Sequence, residues 1–128
     1  MGLSYYPFRH GNLATFRNNL HDLALRYRLP IVVVETAYNW IPGSFDGKKS
    51  DLSESPEGQK AFLASVDAAV RTIPNGLGQG VFWLEPAAEG SLRARSFFDE
   101  DGNAPSVVSA LDRAPSAAQA GNAQGDRG

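Results

Sequence analysis

Pro30-Ile31-Val32-Val33-Val34-Glu35-Thr36 is the stretch on which the fold turns. Its β-branched residues suit a pleated strand better than a helix, because two heavy atoms on Cβ crowd a helical turn and pack well on a sheet. No polar residue interrupts the run from Ile31 to Val34, so it reads as a strand covered on both faces, the mark of a parallel sheet. Glu35 stands at the strand's C-terminal end.

The flanking sequence supplies the layers such a strand needs. Upstream, Asn12 can cap a helix on which Leu13, Phe16, Leu20, Leu23 and Tyr27 recur at three- and four-residue steps. Before it, Leu3 to Tyr6 is a short apolar and aromatic run stopped by Pro7, which fits a strand end. Downstream, residues 36–54 mix aromatics with Gly, Pro, Ser, Asp and Lys without a period and read as a long loop. Ser55 as a cap and Pro56 at the first helical position open a second helix, with Phe62, Val66, Ala69, Val70 and Ile73 on its inner stripe. Pro74-Asn75-Gly76 closes it. A third strand is expected from Gly80 to Leu84, then a polar loop to Asn103 and a short last helix from Pro105 to Leu111. Residues 1–112 thus form one α/β unit, and the Ala-, Ser-, Gly- and Gln-rich residues 113–128 lack the apolar content of a core and read as a disordered tail.

The order strand, helix, strand, helix, strand, helix implies parallel strands with right-handed crossovers. Two architectures fit it: an open doubly wound sheet, or three successive units of an eight-unit barrel. Composition narrows the function. A formal net charge of -2 over 128 residues provides no cationic footprint for nucleic acid or an acidic membrane surface. The absence of cysteine removes disulfides, thiolate metal sites and thiol nucleophiles. No apolar run approaches the roughly 20 residues of a membrane span, and the N-terminal residues carry no readable signal peptide.

Three strand ends carry chemistry: Tyr5-Tyr6, Glu35, and Trp83 through Glu85. In a barrel they would face one cleft. A carboxylate among aromatic rings suits sugar chemistry, since rings stack on the apolar side of a pyranose while the carboxylate attacks or stabilises an oxocarbenium-like centre. The plainer alternative is that Glu35 pairs with an arginine and the rings belong to the core. Gly76-Leu77-Gly78-Gln79-Gly80 has the glycine content of a phosphate loop but precedes a strand, so it reads as a helix-to-strand turn. His10 and His21 lack ligand spacing. Asp99-Glu100-Asp101 lacks the remaining positions of a calcium-binding loop and reads as a solvated turn. Trp40 either lines a sugar subsite or pins the loop after Glu35.

Ser4-Tyr5-Tyr6-Pro7-Phe8, His10-Gly11, Val34-Glu35-Thr36-Ala37-Tyr38, Pro74-Asn75-Gly76, Gly80-Val81-Phe82, Glu85-Pro86 and Phe98 through Ala104 follow one another as in glycoside hydrolase family 53, which the chain resembles over residues 1 to about 112. The resemblance implies a partial (β/α)8 barrel, units six to eight, from a retaining arabinogalactan endo-β-1,4-galactanase. It makes Glu35 the nucleophile and Tyr6 the residue that hydrogen-bonds it. His10, Trp40 and Trp83 complete the expected substrate-binding set. Galactan or arabinogalactan is the implied partner, and a secreted or periplasmic location is implied by the family. No cofactor is expected; calcium is left open without a motif behind it.

The departures are as informative. Leu84 stands where the family usually has a platform tryptophan, and Trp83 should point to the opposite face by strand alternation. Arg9 stands where Trp is frequent. The Asn-Glu pair that supplies the family's acid/base is not found in this sequence, and Met1 falls where the sixth strand is already under way. The expectation is therefore a C-terminal portion of the enzyme, complemented in one version by a separately encoded N-terminal half. The alternative is a non-catalytic carbohydrate-binding or inactive remnant of the same barrel.

Overall fold

The computed structural model describes residues 1–43 and 50–112. Part of the expected loop after Glu35 and the whole expected tail at 113–128 lie outside them. Three strands, β1 (Gly2–Tyr5), β2 (Ile31–Thr36) and β3 (Gly78–Trp83), form a parallel sheet in the order β1-β2-β3. The connections are α1 (Pro7–His10, one turn), α2 (Leu13–Tyr27) and α3 (Pro56–Arg71), with 3-10 turns at Pro74–Gly76, Gly90–Arg95 and Ser106–Leu111.

Both long helices begin where their capping chemistry dictates. Asn12 accepts a hydrogen bond from the Thr15 amide at 2.9 Å through its side-chain oxygen, and the Ser55 hydroxyl accepts one from the Gly58 amide at 3.0 Å. Pro56 fills the first helical position, where its missing N–H costs nothing. The α2 stripe of Phe16, Leu20 and Ala24 and the α3 stripe of Phe62, Val66, Ala69 and Val70 meet Ile31 and Val33 in one core. Tyr5 is fully buried there, stacked on Phe16 with ring centroids 3.9 Å apart. Tyr27 does not join this stripe: it lies in the last turn of α2, 52% exposed.

Both helices therefore cover the same face of the sheet. The expectation of a strand covered on both sides fails on the other face, where Val34 is 47% and Phe82 is 65% exposed. A doubly wound sheet carries helices on both faces. A barrel wall carries them outside only, and turns the opposite face toward the other strands of the closed sheet.

The third strand starts at Gly78 rather than Gly80. Gly78 runs against the end of α3, where an added Cβ would sit 1.9 Å from the Val70 carbonyl oxygen, so only glycine fits. Leu84 prolongs the ladder by donating its N–H to the Thr36 carbonyl at 2.8 Å. The last expected helix forms as the 3-10 turn Ser106–Leu111, which packs Val107 into the protein.

One irregularity decides where Glu35 points. Leu3 pairs with Val33 but Ser4 pairs with Glu35, and on the other side Val33 pairs with Val81 while Thr36 pairs with Trp83. Val34 is thus an extra residue in β2, a bulge against both neighbours. Strict alternation from Ile31 and Val33, which face the helices, would send Glu35 into the helix layer. The inserted residue shifts the phase. Val34 lies against Gly2 and Glu35 emerges on the inner face, while Thr36 returns to the buried side and donates its hydroxyl proton to the Tyr5 carbonyl at 2.7 Å.

Candidate active site

At the C-terminal ends of β1, β2 and β3, an open cleft of about 320 Å³ is lined by Tyr6, Phe8, Arg9, His10, Glu35, Leu84 and Arg95. Its central contact is a hydrogen bond of 2.6 Å donated by the Tyr6 hydroxyl to Glu35 Oε1. Alternation in β1 turns Tyr5 outward to the helices and Tyr6 inward, where it packs with Phe8 and Ala37. Burial, followed by the hydrogen bond to Glu35, pushes the Tyr6 phenol well above the ordinary tyrosine range, while the Arg95 and Arg9 charges oppose the shift. The folded protein holds the phenol proton more tightly than an exposed tyrosine would, so the donor persists as pH rises through that range.

His10 closes the other side of Tyr6. Its Nδ1 accepts the Tyr6 backbone N–H at 3.0 Å, and the His10 backbone N–H donates to the Tyr6 carbonyl at 2.8 Å. Accepting at Nδ1 leaves the proton of a neutral imidazole on Nε2. The single turn Pro7–His10 thus folds back onto the residue that holds Glu35.

The two tryptophans lie elsewhere. Trp83, expected among the substrate-binding residues, is turned to the helix side by the alternation that brings Leu84 into the cleft. Its ring packs on Phe62 and Phe97, and its indole N–H donates to the Arg95 carbonyl at 2.9 Å. Trp40 is half-buried and does not line this cleft. Its backbone N–H donates to the Ala94 carbonyl at 2.8 Å, which ties the loop after β2 to the loop after β3.

Four residues of the cleft were not read from the sequence as site residues: Phe8 and Arg95, and also Arg9 and Leu84, which stood out only as departures from the family pattern. Arg95 sits in what reads as an unpatterned polar loop, and its place follows from Gln59. That side chain is fully buried on α3, and its amide donates to the carbonyls of Tyr38, Ser96 and Arg95 at 3.0, 3.1 and 3.3 Å. A buried amide that bridges two loops fixes both, because each carbonyl it leaves would be orphaned.

No group of His, Cys, Asp and Glu side chains able to hold a metal occurs among the described residues. The Asp99 turn is closed by its own bonds: the carboxylate accepts the backbone N–H groups of Asp101 and Asn103 at 3.0 and 2.8 Å. The Asn103 amide bond leads the causes that lower its pKa. None of the described helices is long and apolar enough to cross a membrane.

The model of Glycosyl hydrolase family 53 matches residues 1–121. This chain belongs to that family. It is 46% identical over 97 residues to an uncharacterized protein of Niallia circulans, covering 68% of this chain and 26% of that protein. With an arabinogalactan endo-β-1,4-galactanase of Thermothelomyces thermophilus it shares 32% identity over 127 residues, 88% of this chain and 37% of the relative. A solved structure from a study of two fungal β-1,4-galactanases superposes with a TM-score of 0.73 at 28% identity, over 89% of this chain and 37% of that one. The chain therefore spans between about a quarter and two fifths of the length of these relatives. Its three parallel strands with one helix-covered face are a partial (β/α)8 barrel.

Replacing Tyr6 by Phe removes a hydrogen bond to a carboxylate, a contact worth about 1.5–3 kcal/mol. In a barrel completed with the remaining units from a related galactanase, Tyr6→Phe is expected to lower kcat about 10- to 100-fold with little change in KM. Steady-state kinetics on β-1,4-galactan checks this, and an undiminished kcat would make the phenol dispensable.

Proposed function

We propose that these residues supply the nucleophile side of a retaining endo-β-1,4-galactanase, with Glu35 as the attacking carboxylate. The observation that carries this reading is the Tyr6–Glu35 hydrogen bond at the strand ends of a family 53 barrel wall. Tyr6 engages Oε1, which orients the carboxylate and leaves Oε2 to attack the anomeric carbon of a galactosyl unit. A covalent glycosyl ester forms as the leaving sugar departs, and water then releases it with net retention. Among the described residues that line the cleft, Glu35 is the sole carboxylate. The acid that protonates the leaving oxygen, and later activates water, therefore belongs to strands facing this wall across the cleft.

The substrate follows from the named relative, which acts on arabinogalactan. A polysaccharide of that size does not cross a membrane, so the completed enzyme works outside the cytoplasm. The test is trapping of the intermediate. A 2-deoxy-2-fluoro-galactosyl reagent with a good leaving group, given to the completed barrel, should leave one sugar on the proteolytic peptide that contains Glu35. A label on another carboxylate would assign the nucleophile elsewhere.

A further inference from the structure

The pairing of β1 with β2 ends at Tyr5 and Thr36, so Tyr6 stands one residue beyond the ladder. The turn that follows holds its backbone instead. The Tyr6 carbonyl accepts the backbone N–H groups of Arg9 and His10 at 3.0 and 2.8 Å, and the Tyr6 N–H donates to His10 Nδ1 at 3.0 Å. Donor and acceptor of Tyr6 are thus both satisfied within the single turn Pro7–His10.

That turn is itself fastened to the core. Tyr5, fully buried, donates its hydroxyl proton to the Gly11 carbonyl at 3.0 Å, which fixes the chain immediately after His10. Gly11 turns there with φ 87°, a conformation that favours glycine. The His10 imidazole supplies the side-chain link from this anchored turn back to Tyr6, and it does so only while Nδ1 has a lone pair to offer. Its ring stands beside the Tyr6 ring, with centroids 6.2 Å apart, and lines the cleft.

Resting on the galactanase reading above, we infer that His10 is a positioning residue: Nδ1 anchors the Tyr6 backbone and thereby sets the phenol that orients Glu35. Phe8 and Ala37 pack against the Tyr6 ring. Packing confines a ring, but keeping its hydroxyl 2.6 Å from one carboxylate oxygen also requires a fixed backbone at the base of the side chain. Displacement of Tyr6 would disturb the attacking group more than the contacts that bind the sugar, so the effect falls on kcat rather than KM.

The experiment uses the completed barrel and separates the two ring nitrogens. Asn carries Oδ1 as many bonds from Cβ as His carries Nδ1, so His10→Asn keeps an acceptor for the Tyr6 N–H; His10→Gln places its amide at the distance of Nε2 and leaves that N–H without its partner. His10→Gln and His10→Ala are expected to lower kcat on β-1,4-galactan about tenfold with KM little changed, and His10→Asn should retain several-fold more kcat than His10→Gln. In the Tyr6→Phe background the same substitutions should cost less than about twofold, because the phenol they position is gone. Hydrogen exchange gives a readout apart from activity: the Tyr6 amide should be protected in the wild type and in His10→Asn, and exposed in His10→Gln. A higher kcat in Gln than in Asn, with a rise in KM, overturns the inference in favour of a direct Nε2 contact with the sugar. Full cost of His10→Gln in the Tyr6→Phe background overturns it too, since His10 would then act independently of the phenol. Where a variant does not fold, exchange of the wild-type Tyr6 amide decides, and an unprotected amide overturns the inference. A completed barrel that hydrolyses no galactan counts against the galactanase reading, while the exchange measurements still test the hold on Tyr6, so the two failures are distinguishable.

Discussion

Glu35→Gln in a completed barrel is expected to lower kcat on β-1,4-galactan by about 10⁴- to 10⁶-fold, the range reached when one member of a catalytic unit is removed. Gln is nearly isosteric and can still accept the Tyr6 hydrogen bond, so the fold and the cleft should survive while the proposed nucleophile does not. Loss of charge removes both the attacking lone pair and the anion that stabilises positive charge at the anomeric carbon. The measurement is reducing-sugar release, with circular dichroism and thermal melting to show that the variant is folded. A second variant, Glu35→Gly, opens space at the same point, and added azide should then restore turnover and give a galactosyl azide of inverted configuration. Gln activity within tenfold of wild type would remove Glu35 from the reaction.

The geometry behind that expectation was only partly legible in the amino-acid sequence. The element order and both helix starts follow from local chemistry, because Asn12, Ser55 and Pro56 act within one turn of themselves. Glu35 at a strand end is equally plain. Its direction is not, since the β-branched run gives no sign that Val34 is an inserted residue, and a regular strand would have buried Glu35 against the helices. Gln59 is hidden for a related reason. A glutamine in the second turn of an amphipathic helix reads as polar surface, and only the tertiary structure brings the carbonyls of Tyr38, Arg95 and Ser96 onto it. Trp83 shows the converse. Its aromatic character kept it in the expected substrate-binding set although alternation along β3 already turned it to the opposite face, and the structure adds the packing on Phe62 and the partner for its indole N–H. Local signals thus locate the wall, and long-range contacts decide which side chains face the substrate.

The 128-residue chain on its own is expected to release no reducing sugar from β-1,4-galactan above background. Retaining hydrolysis needs two carboxyl groups about 5 to 5.5 Å apart across the bond, the acid holding its proton near neutral pH. Among the described residues, the cleft of this wall supplies one. Glu85 lies two residues beyond β3 but in a left-handed backbone conformation, φ 52°, and it does not line the cleft. Without a general acid the sugar oxygen must leave unprotonated, which alone costs about 10²- to 10⁴-fold. Stability compounds the deficit. The outer edges of β1 and β3 have no strand partner among the described residues, and the inner face exposes Val34 and Phe82. Unpaired edges beside an apolar face favour association over a soluble monomer. Size-exclusion chromatography of the purified chain should therefore show aggregates, and the reducing-sugar assay should not distinguish it from its Glu35→Gln variant. A soluble monomer whose robust hydrolysis disappears in that variant would show that these strands hold a complete pair of carboxyl groups, and the search for the acid would turn to Glu85 and Glu89.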